Sequence, residues 1–124
     1  MNTQQRILIV EDDDSISDFL SIALTDEGYT VAIAPNGWIG LTLIASFQPN
    51  LILLDLGLPI IDGREFMAIH RGLPKPAPII GISAMRNARS VAEALGVADF
   101  LEKPFSLEEL LVRIKHCLSS ASNA

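Results

Sequence analysis

A few residues in this chain are of types that do chemistry together. An acidic run, Glu11-Asp12-Asp13-Asp14, follows an apolar stretch at 6–10. Asp55 closes the apolar run 51–54, Ser83 closes another, and Lys103 stands before Pro104. A charge at the end of an apolar run costs free energy unless something pairs with it. Carboxylates converging in one cleft repel one another and drive pKa values up. A hard divalent cation relieves that repulsion. Mg²⁺ favours octahedral oxygen coordination, keeps several waters and takes one or two protein carboxylates. Lys103 offers a point charge suited to a carboxylate or a phosphate oxygen. The Ser83 hydroxyl can donate to a phosphoryl oxygen. Such a set suits phosphoryl transfer, where positioning and electrostatics carry most of the catalysis and an aspartate can be the nucleophile. On this reading Asp55 is the nucleophile, and a metal with Lys103 makes its position tolerable.

Residues so far apart in sequence need a fold to join them. Apolar runs at 6–10, 29–34, 51–55, 78–83 and 99–102 read as strands. Between them lie stretches of helical periodicity. Ile16, Phe19, Leu20, Ala23 and Leu24 form the first, with Gly28 as its stop. Residues 35–37 break the second strand, and Leu41, Ile44 and Ala45 suit the second helix. A loop holding Pro59 and Gly63 leads to a helix near 63–71. Another near 87–95 ends at Gly96. Ser106 and Glu109 form a capping box before the last helix, lined by Leu110, Leu111, Ile114 and Leu118. The sum is five βα units, an α/β chain with a parallel sheet. In such sheets binding sites form beyond the carboxyl ends of the strands. Glu11, Asp12, Asp13, Asp55, Ser83 and Lys103 all fall at that edge.

Each residue also has an ordinary explanation. An acid after a strand often caps the next helix, and for Asp13 or Asp14 alone that is the better reading. The acids at 108–109 complement a helix dipole. His70 and His116 sit on expected helices, far in sequence from the acidic cluster, and read as surface or interface residues. Cys117 reads as a small helix-borne hydrophobe. Trp38 and Ile39 start the second helix, where at least one faces solvent as a partner contact and core packing is expected for one. The site rests on the joint occurrence, not on any one side chain.

The bulk numbers bound the rest. The 124 residues fit one domain, with a core at about 5–119 and a short polar, frayed tail at 120–124. A hydrophobic share of 49% allows a sizeable core, and no apolar run is long enough to span a bilayer. The single cysteine fits a reducing compartment, and the N-terminus lacks a secretory pattern, so a cytoplasmic protein without membrane insertion is expected. A net charge of −6, with the nine Lys and Arg scattered, argues against direct nucleic-acid binding.

Residues 7–13, 51–63, 78–84 and 99–105 together resemble the receiver domain of bacterial response regulators. All four motifs occur in order on alternating βα units, and the likeness covers nearly the whole chain. The resemblance implies a flavodoxin-like (βα)5 fold with strand order 2-1-3-4-5. It implies Asp55 as phosphoacceptor, and a metal site of Glu11 (through a water), Asp12, Asp55 and the backbone carbonyl of Gly57, filled by Mg²⁺ or Mn²⁺. Ser83 is then the switch hydroxyl, Lys103 the phosphoryl or carboxylate partner, and Phe100 the switch aromatic. The donor is a sensor histidine kinase or a histidine phosphotransfer protein. A downstream protein binds the face made by the fourth helix, fifth strand and fifth helix. The domain is a signalling phosphoacceptor, catalysing only its own phosphorylation and dephosphorylation.

The chain departs from the family between Ser83 and Lys103, which lie about two residues closer than expected, with the shortfall at 85–90. Gly57 and Met85, each two residues past a key side chain, occupy positions that tune phosphoryl lifetime. An aspartyl phosphatase would want a second acid where Gly57 stands. A flavin mononucleotide site would want a hydroxyl- and glycine-rich loop where 11–14 is acidic. A pseudo-receiver that binds without phosphorylation is the remaining alternative.

Overall fold

A computed structural model describes residues 4–57, 63–84 and 86–122. Pro59 and Met85 lie outside the described residues. Five strands, β1 (Arg6–Val10), β2 (Thr30–Ala34), β3 (Leu51–Asp55), β4 (Ile79–Ser83) and β5 (Asp99–Glu102), alternate with five helices. The helices are α1 (Asp14–Asp26), α2 (Gly37–Phe47), α3 (Gly63–Arg71), α4 (Ala88–Leu95) and α5 (Leu107–Ser122). The sheet is parallel throughout, in order β2-β1-β3-β4-β5. The family-implied order is therefore the observed one.

The strands β1, β3 and β4 are largely apolar because both faces are covered. Successive side chains alternate between the faces. Ile7, Ile9, Leu51, Leu53, Ile80 and Ile82 pack with Leu20 and Leu24 of α1 and Leu110 and Ile114 of α5. Leu8, Val10, Ile52, Leu54 and Ile79 pack on the other side with Phe66 and Met67 of α3 and Leu95 of α4. Each fully buried Leu or Ile contributes roughly 1.5–3 kcal/mol relative to exposure. This double cover fixes all five carboxyl ends at one edge.

Local signals set the helix ends. Asp13 caps α1, its Oδ1 accepting from the Ser15 and Ile16 N–H groups. Asn36 caps α2 by accepting from the Ile39 N–H at 2.9 Å. Ser106 Oγ accepts from the Glu109 N–H at 3.1 Å, the expected half of a capping box. Gly96 closes α4 in the left-handed region, φ 75°, where glycine pays no side-chain penalty.

Two expectations, those for Trp38 with Ile39 and for His70, need correction, and the structure adds the exposure of Phe19 and Ala45 and the end of α5. Phe19 is not a core residue, being 55% exposed. The inner line of α1 runs through Leu20 and Leu24, and Phe19 lies about 100° away from Leu20 on the helix. Ala45 likewise is exposed on α2. Trp38 and Ile39 both face solvent, because Gly37 and Gly40 are the buried positions of α2's first turn. His70 is buried rather than superficial, stacked on Phe66 one turn earlier. α5 extends to Ser122, into the short tail expected at 120–124.

Candidate functional site

The ends of β1, β3, β4 and β5 converge as expected. The Glu11 N–H donates to Ala34 O at 3.0 Å, one residue beyond β1, so the ladder continues into the acidic run. That continuation keeps Glu11 buried, while Asp12 is exposed. On the far side the Lys103 N–H donates to Ser83 O at 2.8 Å. The backbones of the expected switch serine and lysine are thus tied directly, and Ser83 itself is buried.

Lys103 Nζ donates to Glu11 Oε1 at 3.1 Å and stands 3.5 Å from Asp55 Oδ2. The lysine is therefore shared between two carboxylates, with Glu11 the nearer. The other Asp55 oxygen, Oδ1, accepts from the Gly57 N–H at 2.9 Å. Burial and the adjacent Asp55 push the Glu11 carboxyl up to about 7. Burial works against the Lys103 ammonium, but Glu11 and Asp55 outweigh it and hold its pKa above the ordinary lysine value.

One oxygen each from Glu11, Asp12 and Asp55 lie within 4.8 Å of one another. Three carboxyl groups this close form a hard-oxygen donor set that a divalent cation fits. Asp13 takes a different role. Its Oδ1 accepts from the Ser15 hydroxyl at 2.6 Å, a bond that lowers the Asp13 pKa, and it serves the helix cap. The cap reading weighed for it in the sequence is the one the structure bears out.

Phe100 is half-buried and lines a cavity of about 150 Å³ with Arg89, Ala92, Glu93, Val97 and Asp99. Arg113 Nη1 reaches from α5 to Asp99 Oδ1 at 2.5 Å and to Phe100 O at 3.2 Å. This tie between β5 and α5 escaped the sequence reading, since no spacing rule pairs residues on separate elements. Beside the acidic cleft, Ile16, Phe19, Leu20, Ala84, Pro104 and Phe105 line an apolar depression of about 430 Å³. Among the described residues no helix is long and apolar enough to cross a membrane.

Comparison with known proteins agrees with this architecture. Residues 7–115 match the response regulator receiver domain family. Response regulator MprA of Mycobacterium tuberculosis is 37% identical over 115 residues, 91% of this chain and 50% of the relative. Transcriptional regulatory protein PcoR of Escherichia coli is 36% identical over 119 residues, 94% of this chain and 53% of the relative. The chain spans about half the length of the curated relatives it matches. A receiver domain protein (CheY-like) from Methanospirillum hungatei JF-1 superposes with a TM-score of 0.88 at 32% identity, covering 98% of each chain. With its fold, strand order and match over 109 residues (7 to 115), the chain belongs to the response regulator receiver domain family.

Proposed function

We propose that Asp55 is the phosphoacceptor of a two-component or phosphorelay system. The donor is a phosphohistidine on a sensor histidine kinase or a histidine phosphotransfer protein. One observation carries this reading. The Asp55 carboxylate is bracketed by the Gly57 N–H at 2.9 Å and Lys103 Nζ at 3.5 Å, with Glu11 and Asp12 oxygens within 4.8 Å.

Glu11 (through a water), Asp12, Asp55 and the Gly57 carbonyl would hold Mg²⁺, or Mn²⁺ in its place. The bound ion supplies charge neutralisation at the phosphoryl oxygens. The chain's own residues do the rest. An Asp55 carboxylate oxygen attacks phosphorus, the P–N bond breaks, and its electron pair stays on the imidazole nitrogen. Lys103, already between two carboxylates, offers its ammonium to the phosphoryl oxygens as charge builds there. In the separate hydrolysis step water attacks phosphorus and gives its proton to solvent, the P–O bond to Asp55 breaks with its electron pair staying on the carboxylate, and inorganic phosphate leaves. Gly57 places no side chain in the path of that water.

The phosphoryl group adds about −1.5 to −2 charges and new acceptor oxygens. Ser83 moves toward them, and Phe100 turns into the space this opens. The face of α4, β5 and α5 then changes shape for a downstream protein. A shift from 1:99 to 99:1 needs about 5.5 kcal/mol, a scale that a few charge-assisted hydrogen bonds can reach. This receiver domain, residues 1–124, acts in the cytoplasm and makes no nucleic-acid contact of its own.

The test is intact mass after incubation with phosphoramidate and Mg²⁺. A single phosphoryl adduct that disappears in Asp55→Ala and in chelator supports the proposal. A folded protein with no adduct leaves the pseudo-receiver reading. Ring signals of Phe100 that do not change with a phosphate mimic would remove the switch from the account.

A further inference from the structure

We infer that Gly81 is a positioning residue for Asp55 and acts through Leu56. The inference rests on the phosphoacceptor reading and names a part of its machinery. On β4, Ile80 and Ile82 face α1 and α5, so Ile79, Gly81 and Ser83 face the α3 and α4 side. Gly81 pairs with Leu54 on one neighbour strand and with Phe100 on the other. A side chain at 81 would therefore stand in the middle of the sheet, just below the site.

Leu56 fills that gap. A Cβ on Gly81 would lie 3.0 Å from Leu56 Cδ1 and 3.3 Å from its Cδ2 and Cγ. These approaches are tighter than ordinary packing, so Leu56 is seated where only a bare backbone leaves room. Its N–H also donates to Ile82 O at 2.9 Å. Leu56 is thus held at both backbone and side chain. The next N–H, that of Gly57, holds Asp55 Oδ1 at 2.9 Å. The path runs from Gly81 to the Leu56 side chain, to the Gly57 peptide, to the acceptor oxygen. The same peptide ends in the carbonyl assigned to the cation.

Filling the seat turns Leu56 out and tilts the peptide that follows it. Both the Asp55 oxygen and the Gly57 carbonyl move. A glycine kept only for packing would behave otherwise: a larger residue would lower stability and leave Mg²⁺ affinity alone. Pressure on Phe100, the other neighbour of Gly81, is a second route that the test separates.

The experiment compares Gly81→Val, Leu56→Ala and the double variant. Mg²⁺ alone is titrated by calorimetry, and phosphoryl uptake from acetyl phosphate is timed by intact mass. Gly81→Val is expected to weaken Mg²⁺ binding and slow uptake by about tenfold each, the scale of a misplacement well under 1 Å. The double variant is expected to return both to within about threefold of Leu56→Ala, since contacting residues are not additive. If Gly81→Val leaves both unchanged, or the double is as impaired as the single, the inference is overturned. Persistence in the double would be the sign of a route through Phe100. Should the valine variant fail to fold, Gly81→Ala is read by the same criteria with a smaller expected effect. A wild-type protein that binds Mg²⁺ but takes up no phosphoryl group contradicts the acceptor reading, while the calorimetric arm still judges the seat.

Discussion

Lys103 Nζ donates to Glu11 Oε1 at 3.1 Å, a bond that joins the two ends of the chain's active edge across 92 residues. Glu11 is 3% exposed, so its carboxylate depends on that ammonium for compensation. Lys103 in turn stands 3.5 Å from Asp55. One cation therefore restrains two acids that repel each other.

Replacing Lys103 with alanine leaves Glu11 buried beside Asp55 without its partner. The expected loss of stability is about 1–3 kcal/mol in chelator. A divalent ion at the three carboxylates takes over part of the compensation, so the loss shrinks with Mg²⁺. Urea unfolding of both proteins, with and without Mg²⁺, measures the difference. A loss equal in the two conditions would separate Lys103 from the metal site.

Asp13 belongs to the cap and not to the acceptor site. Asp13→Ala removes the acceptor for the Ser15 and Ile16 N–H groups. The melting temperature is expected to fall by a few degrees, while phosphoryl uptake from acetyl phosphate stays within about threefold of wild type. A large loss of uptake at unchanged stability would move Asp13 into the site.

His70 gives the fold a pH dependence. The ring is 5% exposed, and among the described residues neither ring nitrogen has a hydrogen-bond partner. Burial lowers its pKa below the ordinary value of 6.5, and nearby Arg71 adds to the effect. The Ala77 backbone pulls the other way, more weakly, from outside hydrogen-bond geometry. The folded state therefore favours the neutral ring. Its contribution is fully present above the unfolded value near 6.5 and is lost as pH falls toward the lower folded value. Unfolding free energy measured from pH 8 to pH 5 should drop more in wild type than in His70→Phe. Parallel curves would mean that the ring is solvated.

Gly96 carries a second demand besides its left-handed backbone. A Cβ there would meet Arg71 Nη2 at 2.6 Å, where the guanidinium binds the Leu95 carbonyl at the end of α4. Gly96→Ala is expected to cost about 1–2 kcal/mol from the backbone alone. Arg71→Ala in the same background should recover only the part due to the clash. Thermal unfolding of the two variants decides it.

Much of the fold was legible because it rests on local rules. Apolar runs marked β1 to β4, the short fifth strand was read at 99–102, and β3 and β5 fall at the expected residues, 51–55 and 99–102. Gly96 and Ser106 marked helix ends through backbone chemistry that needs no tertiary context. The convergence of Glu11, Asp55, Ser83 and Lys103 followed from strand ends and topology. What stayed hidden depends on rotation and on contacts between elements. Phe19 and His70 are single turns of a helix whose inward direction only packing sets. The link between Gly81 and Leu56 needs a register between β3 and β4, which neither strand's sequence specifies alone. Likewise Arg113 meets Asp99 only because α5 lies back across β5.

The phosphoryl group is expected on residue 55. The direct measurement is peptide mapping after phosphorylation with acetyl phosphate and Mg²⁺, followed by borohydride reduction. Reduction of an aspartyl phosphate leaves homoserine at the modified position. Homoserine is expected at position 55, and none when Mg²⁺ is withheld. Homoserine at position 12 or 13, with position 55 intact, would contradict that placement.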